Sequence, residues 1–240
     1  MVAFVILFGC YQAAEGLGTM LAPASPAGPA LMCATLALAW PLGRWIGGGG
    51  YAAYGLAWHP GIPRLVAAGL LLAGLAKLAS LALAAPLGAG ALVASGARLS
   101  AVGIALAAII TFIPSIAEDI LTRGFLFRAF PLRLGPVAFI VGSALLYTLN
   151  HVWRFDWGVS EQLRLFCLGL AYAAATWRWR TLWGAVALHW GWNLANTLAD
   201  PLLSLEGGRV DAARYVSAGA HLALLAVVLL LPKRQSEKLP

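Results

Sequence analysis

Charged residues are scarce in this chain. Only 10% of its 240 residues are Asp, Glu, Lys or Arg, whereas 61% are hydrophobic. A soluble globular domain carries about 25% charged residues, so the composition excludes an ordinary soluble enzyme. The long apolar runs have the length of membrane-spanning helices. The predicted fold class is therefore all-α, a polytopic transmembrane helix bundle.

Cysteine is also rare, and basic clusters are lacking. The three cysteines show no CxxC spacing, which favours neither a disulfide framework nor a thiolate metal site. The net charge of +7 comes from basic residues scattered singly between apolar runs. That pattern is typical of loops between membrane spans, so we expect the lipid bilayer as a partner and no nucleic acid.

A membrane span needs about 20 apolar residues, and eight apolar segments are candidates, although several of the later ones are shorter. The first lacks the basic region and cleavage site of a signal peptide and is interpreted as a span. The fourth is long enough to overshoot the bilayer, to tilt, or to break near Pro114. The predicted spans are residues 2–20, 29–45, 65–87, 99–130, 137–152, 163–177, 182–198 and 216–231.

The distribution of Lys and Arg predicts the orientation. The second, fourth and sixth connections and the C-terminal tail hold ten basic residues, and the other connections hold five. Basic residues accumulate on the cytoplasmic side, so both termini are expected in the cytoplasm. Residues 1–240 form one integral membrane domain. Within it, 1–98 are less diagnostic, 99–198 carry the motifs, and 199–240 hold the last span and a basic tail.

The fourth span carries an unusual set of ionisable residues. Asp119 and Arg123 are four residues apart, so they can form an ion pair on one helical face. Glu118 has no such partner on its own helix and is predicted to be an unpaired acid, free for chemistry. Ionisable groups are costly in a membrane and usually mark a functional site. The alternative is a salt-bridged helix end at the cytoplasmic surface.

The fifth span ends with Tyr147 and His151, which lie one helical turn apart on the same face. An imidazole can exchange a proton or orient a water molecule near neutral pH. The alternative is a histidine at a helix end that only hydrogen-bonds the interface.

The seventh span carries His189 and Asn193, again one turn apart. Both are suitable donors to an oxyanion, although they could equally serve as polar contacts between helices.

The first four spans otherwise offer Glu15 and Lys77, which either pair with each other or reach the interface, and no role is assigned to them. His59 and His221 are interpreted as structural.

Together, the three motifs resemble those of the CAAX protease and bacteriocin-processing (CPBP, or Abi) family, which includes type II CAAX prenyl endopeptidases. That family carries EExxxR, FxxxH and HxxxN/D on successive membrane helices. The resemblance covers about residues 100–198. Asp119 stands where the family prefers Glu, and Tyr147 stands where Phe is usual. Neither difference removes a catalytic group that the resemblance implies.

The resemblance implies a glutamic intramembrane endopeptidase whose site lies among the fourth, fifth and seventh helices. Glu118, helped by His151, would activate water, and His189 and Asn193 would stabilise the oxyanion. Asp119, Arg123 and Tyr147 would support them. The substrate would be a membrane-associated or secreted peptide or protein. The composition suggests a bacterium, and the expected location is the bacterial inner membrane.

Two other functions remain open. Glu118, His151 and His189 form a His₂Glu set, which is a known catalytic zinc arrangement, so zinc stays possible although no cofactor is predicted. The chain lacks HExxH. A transporter or a non-catalytic immunity or scaffold protein would also place acids and histidines within a membrane. A serine mechanism at Ser143 is disfavoured, since no GxSxG context surrounds it.

Overall fold

The structure is a computed structural model, and it describes residues 1–21, 25–130 and 133–232. Most of the basic C-terminal tail, from residue 233 onward, lies outside the described residues.

Within the described residues, eight α-helices occupy the eight predicted segments. They are α1 Val2–Gly16, α2 Ala27–Trp45, α3 Ile62–Ala84, α4 Ala101–Asp119, α5 Pro136–Asn150, α6 Val159–Trp179, α7 Trp183–Ala199 and α8 Val210–Leu230. Three are long and apolar enough to cross a membrane, namely α3, α8 and α4 with its extension to Ala129. The shorter α1 and α5 are also apolar. The prediction of an all-α membrane bundle is confirmed.

Helix α4 begins at a serine cap and continues through a proline. The Ser100 hydroxyl accepts a hydrogen bond from the Gly103 N–H at 3.0 Å, which satisfies a backbone donor that has no partner within the helix. The break that the sequence allowed near Pro114 is not observed, because α4 runs unbroken to Asp119. From Ile120 to Ala129 the helix widens into a π-helix, a form often found at functional sites.

A small ribbon joins two connections that are distant in sequence. Strand β1, Ala91–Ala94, follows α3, and strand β2, Leu203–Glu206, follows α7. They pair antiparallel with Ala91 opposite Glu206. The sequence analysis did not predict these strands. Their pairing places the third and seventh connections on the same side of the bundle.

Small residues allow α3 and α7 to pack closely. A Cβ atom at Gly69 would lie 2.4 Å from the Ala187 Cβ atom, so this contact requires glycine. Such small-residue contacts are typical of helix association in membranes, where backbones approach each other directly. The close approach fixes α7, the helix that carries His189 and Asn193.

Helix α5 ends early, and the chain continues as a short 3₁₀ helix, Val152–Trp157. This 3₁₀ segment packs on α1, where the Trp153 indole N–H donates to the Gln12 carbonyl at 3.1 Å. The Gln12 amide in turn donates to the Asn150 carbonyl at 2.7 Å. These contacts hold the end of α5 against the middle of the first helix.

Glu15 and Lys77 each contact a residue from a later part of the chain. Glu15 lies 2.9 Å from Arg154 of the 3₁₀ segment, and Lys77 lies over the Trp192 ring. Their partners are distant in sequence, so the helical spacing that the sequence analysis used could not reveal them.

Candidate active site

Glu118 lies in the last turn of α4, and only 5% of the residue is exposed. Its Oε1 atom accepts hydrogen bonds from the Tyr11 hydroxyl at 2.9 Å and the Asn150 amide at 3.2 Å. The His151 Nε2 atom is 3.1 Å from the same oxygen. The prediction of an unpaired acid is therefore wrong. Its partners come from α1 and from the end of α5, which spacing along α4 could not indicate.

His151 directly follows α5, and its ring faces Glu118. Its Nδ1 atom lies 2.8 Å from the Tyr147 carbonyl oxygen, which can only accept, so this contact is a hydrogen bond when Nδ1 carries the hydrogen. The Nε2 atom is then left to face the Glu118 carboxyl group at 3.1 Å. At this distance a proton on either group can be donated to the other. The pair is thus within reach for proton exchange.

His189 of α7 lies between the two adjacent acids of α4. Its Nε2 atom is 3.5 Å from Glu118 Oε2, and its Nδ1 atom is 3.3 Å from Asp119 Oδ1. The ring stacks on Tyr172 with centroids 5.1 Å apart. The Tyr172 hydroxyl is 3.0 Å from the His221 Nε2 atom, so α6 and α8 together fix the plane of His189.

Asp119 and Arg123 form the ion pair that their spacing predicts. Both side chains are fully buried and hydrogen-bonded to each other. The guanidinium also lies over two aromatic faces, 4.6 Å from the Tyr147 ring centre and 5.3 Å from that of Tyr172. Tyr147 thus connects Arg123 with His151, whose ring centre is 4.8 Å away. This pair organises the helices around Glu118.

Asn193 lies one turn beyond His189 on α7 and is partly buried. Its side-chain amide donates to the Ser115 hydroxyl at 3.1 Å, one turn before Glu118 on α4. An amide nitrogen carries two hydrogens, so one N–H group remains for another acceptor. His189 and Asn193 therefore contact successive turns of α4.

Two residues that donate hydrogen bonds to Glu118 were not predicted from the sequence, and both are buried. Tyr11 is 3% exposed and Asn150 is 1% exposed. The only signals in the sequence were polar residues in apolar runs: Tyr11 stands beside Gln12 in the first span, and Asn150 precedes His151. Four helices therefore meet at the site, since α1 joins the predicted fourth, fifth and seventh.

A protein-family model matches part of the chain. Residues 100–195 match the model described as Rce1-like, type II CAAX prenyl endopeptidase Rce1-like. Over this region the chain is similar to that family. The resemblance inferred from the three motifs is confirmed. Comparisons with curated proteins and with solved structures found no match.

The Rce1-like region runs from α4 to most of α7 and includes every predicted site residue. The family description and the apolar helices support an integral membrane protease of the CAAX type. Tyr11 on α1 and His221 on α8 lie outside the region. Within the described residues, no group of three or more His, Cys, Asp or Glu side chains is arranged to hold a metal ion.

Proposed function

We propose that this protein is an intramembrane endopeptidase that hydrolyses peptide bonds with water activated by Glu118. The observation that carries the proposal is a buried carboxylate between two imidazoles, with His151 at 3.1 Å from one oxygen and His189 at 3.5 Å from the other. A carboxylate and imidazoles in hydrogen-bond reach are the groups that general acid–base catalysis requires.

The reaction begins with proton transfer from water to Glu118, assisted by His151. The resulting hydroxide attacks the carbonyl carbon of the scissile peptide bond and forms a tetrahedral oxyanion. The C–N bond then breaks, and the proton that Glu118 accepted passes to the leaving nitrogen. The products are a carboxylic acid and an amine, which exchange a proton to become a carboxylate and an ammonium group, and no electrons or further reactants are needed.

His189 and Asn193 are assigned to the oxyanion. Asn193 keeps one N–H group that is not needed for its bond to Ser115. A preorganised donor at such a position contributes about 3 kcal/mol to transition-state stabilisation. The Asp119–Arg123 pair and Tyr147 act as supports, because they contact the histidines rather than a site for substrate.

The proposed substrate is a peptide or protein that is secreted or associated with the membrane. We place the protein in the bacterial inner membrane with both termini in the cytoplasm. Contacts across the bundle support this orientation. The ribbon joins the third and seventh connections, and Arg214 donates to the Trp157 carbonyl at 2.7 Å beside the fifth. The connections with fewer basic residues thus share one side.

The proposal is tested by the rate at which the Glu118→Gln variant cleaves peptides. The purified protein in proteoliposomes is incubated with a quenched fluorescent peptide that ends in farnesyl-cysteine and three further residues, with its unprenylated counterpart, and with a mixture of membrane-protein peptides. We expect Glu118→Gln to lower the cleavage rate by at least about 10³-fold. The matched control is Glu206→Gln on exposed β2, which should cleave at the unaltered rate.

Three outcomes would contradict the proposal. Undiminished cleavage by Glu118→Gln would remove Glu118 from the mechanism. Loss of activity on chelation, with stoichiometric zinc in the active protein, would establish the zinc protease with the same residues. Absence of cleavage with all three probes would favour the transporter or the non-catalytic scaffold.

A further inference from the structure

Tyr11 reaches Glu118 from a part of the chain that the family match does not cover. It lies on α1, is 3% exposed, and donates its hydroxyl hydrogen to Glu118 Oε1 at 2.9 Å across 107 residues of sequence. Of the contacts described for the Glu118 side chain, this is the shortest.

The chemistry of a phenol suits this contact. An ionised carboxylate only accepts hydrogen bonds, and a phenol with an ordinary pKa near 10 stays protonated at neutral pH. Tyr11 therefore donates to Glu118 without competing for the proton that the mechanism moves. His151 differs in this respect, because its ring exchanges a proton in the same pH range.

The surrounding contacts fix where the Tyr11 hydroxyl lies. The next residue, Gln12, is bonded through its side chain to Asn150 and through its carbonyl to Trp153. A Cβ atom at Gly16 would lie 2.7 Å from the Trp153 ring, so α1 approaches the 3₁₀ segment as closely as glycine permits. The end of α5 thus sets the position of α1 and of its tyrosine.

The two oxygens of Glu118 are not equivalent. Oε1 receives Tyr11, Asn150 and His151, whereas the contact described for Oε2 is His189 at 3.5 Å. A carboxylate held by one oxygen presents the other in a fixed direction. Oε2 is therefore the oxygen that faces toward α7 and is free to take a proton from water.

We propose that Tyr11 is a positioning residue of the catalytic centre, whose hydroxyl holds Glu118 Oε1 and stabilises the carboxylate in its ionised form. This inference rests on the proposed function, since it concerns the base of that reaction. It assigns α1, which lies outside the Rce1-like region, a part in hydrolysis. Among the described residues, the titratable and charged groups that face Glu118 from the packed elements are Tyr11, Glu15, Tyr147, His151, Arg154, Tyr172 and His189.

The test compares Tyr11→Phe with Tyr54→Phe. Each variant removes one buried hydroxyl, and that of Tyr54 donates to the Ala39 carbonyl at 3.0 Å, away from Glu118. Hydrogen bonds to charged groups are worth more than neutral ones, so Tyr11→Phe should lower kcat about 10-fold or more with KM nearly unchanged. Tyr54→Phe should leave kcat unchanged.

The pH–rate profile separates positioning from simple loss of structure. The hydrogen bond favours ionised Glu118, and the reaction needs that form, so its loss should move the acidic limb to higher pH. Replacement of Tyr11 by 3-fluorotyrosine, which keeps the shape and makes the hydroxyl a stronger donor, should move the limb to lower pH. This second variant also serves if Tyr11→Phe does not fold.

Each remaining outcome is decisive. If Glu118→Gln is inactive while both Tyr11 variants keep the wild-type kcat and acidic limb, the inference is wrong and the proposed function stands. If Tyr11→Phe and Tyr54→Phe lower activity equally without moving the limb, Tyr11 has only a structural role. If Glu118→Gln remains active, the proposed function is wrong, and the inference about Tyr11 is wrong with it.

Discussion

Two buried glutamates lie close to the same 3₁₀ segment, and they meet different kinds of partner. Glu15 is 6% exposed and lies 2.9 Å from the guanidinium of Arg154. Glu118 is 5% exposed and faces two imidazoles and a phenol. Burial is thus the same in the two places, and the chemistry of the partners differs.

The difference determines what each acid can do. A guanidinium remains charged at every accessible pH, so Arg154 presents a constant positive charge to Glu15. An imidazole gains and loses a proton near neutral pH, so Glu118 and His151 can exchange one. The same residue type therefore fastens α1 to the end of α5 in one place and can carry a proton in the other.

After Glu118→Gln, replacement of His151 gives the largest expected effect. His151→Gln keeps a polar side chain but removes the ring that can exchange a proton with Glu118, so kcat should fall about 10³-fold. The control is His59→Gln in the connection between α2 and α3, where the Nδ1 atom of the ring accepts a hydrogen bond from the Gly61 N–H at 3.1 Å. Initial rates with the fluorescent peptides measure both. An equal kcat for His151→Gln and the wild type would show that Glu118 acts without it.

Removal of Arg123 tests the second fixed ion pair, which adjoins the site. Arg123→Met leaves the fully buried Asp119 without its cation, and breaking such a pair costs about 3–5 kcal/mol. We expect a corresponding loss in the free energy of unfolding, measured by denaturant titration in detergent. The double variant Asp119→Asn with Arg123→Met should recover part of this loss. A double variant less stable than Arg123→Met would contradict the buried-charge explanation.

The Glu15–Arg154 pair should give the smallest effect. Arg154 keeps 25% of its side chain exposed, so Glu15→Gln leaves a cation that solvent can still screen. The expected loss of stability is about 1 kcal/mol, with kcat within about two-fold of the wild type. Thermal unfolding and peptide cleavage on the same sample measure both. A loss of kcat as large as that of His151→Gln would remove the distinction between the two glutamates.

The fold could be predicted from the sequence because hydrophobic length is a local property. All eight predicted segments contain a helix, and the boundaries differ by a few residues. The ribbon could not be predicted, since Ala91–Ala94 and Leu203–Glu206 are short and lie about 110 residues apart. Neither strand has a pattern that indicates its partner.

In the candidate active site, too, contacts within one helix could be predicted and contacts between helices could not. The Asp119–Arg123 pair follows from spacing on one helix and was predicted. The partners of Glu118 come from α1 and the end of α5, and an isolated tyrosine in an apolar helix gives no sign of what it faces. Motif spacing thus identifies groups on one helix, whereas contacts between helices depend on packing.

The early end of α5 has a consequence for how a peptide gains access. A helix that ends in the interior of a protein leaves carbonyl groups that bulk water does not reach, so other donors must satisfy them. Here the carbonyl of Tyr147 takes the His151 ring N–H, and that of Asn150 takes the Gln12 amide. If α1 moved away from α5, the Asn150 carbonyl would lose its hydrogen bond, and each buried group left without a partner costs about 1–3 kcal/mol of free energy. An extended peptide carries backbone N–H groups along its length, and one of them can replace the Gln12 amide as the donor to the Asn150 carbonyl. Separation of α1 from α5 therefore costs the least free energy when a peptide enters between the two helices.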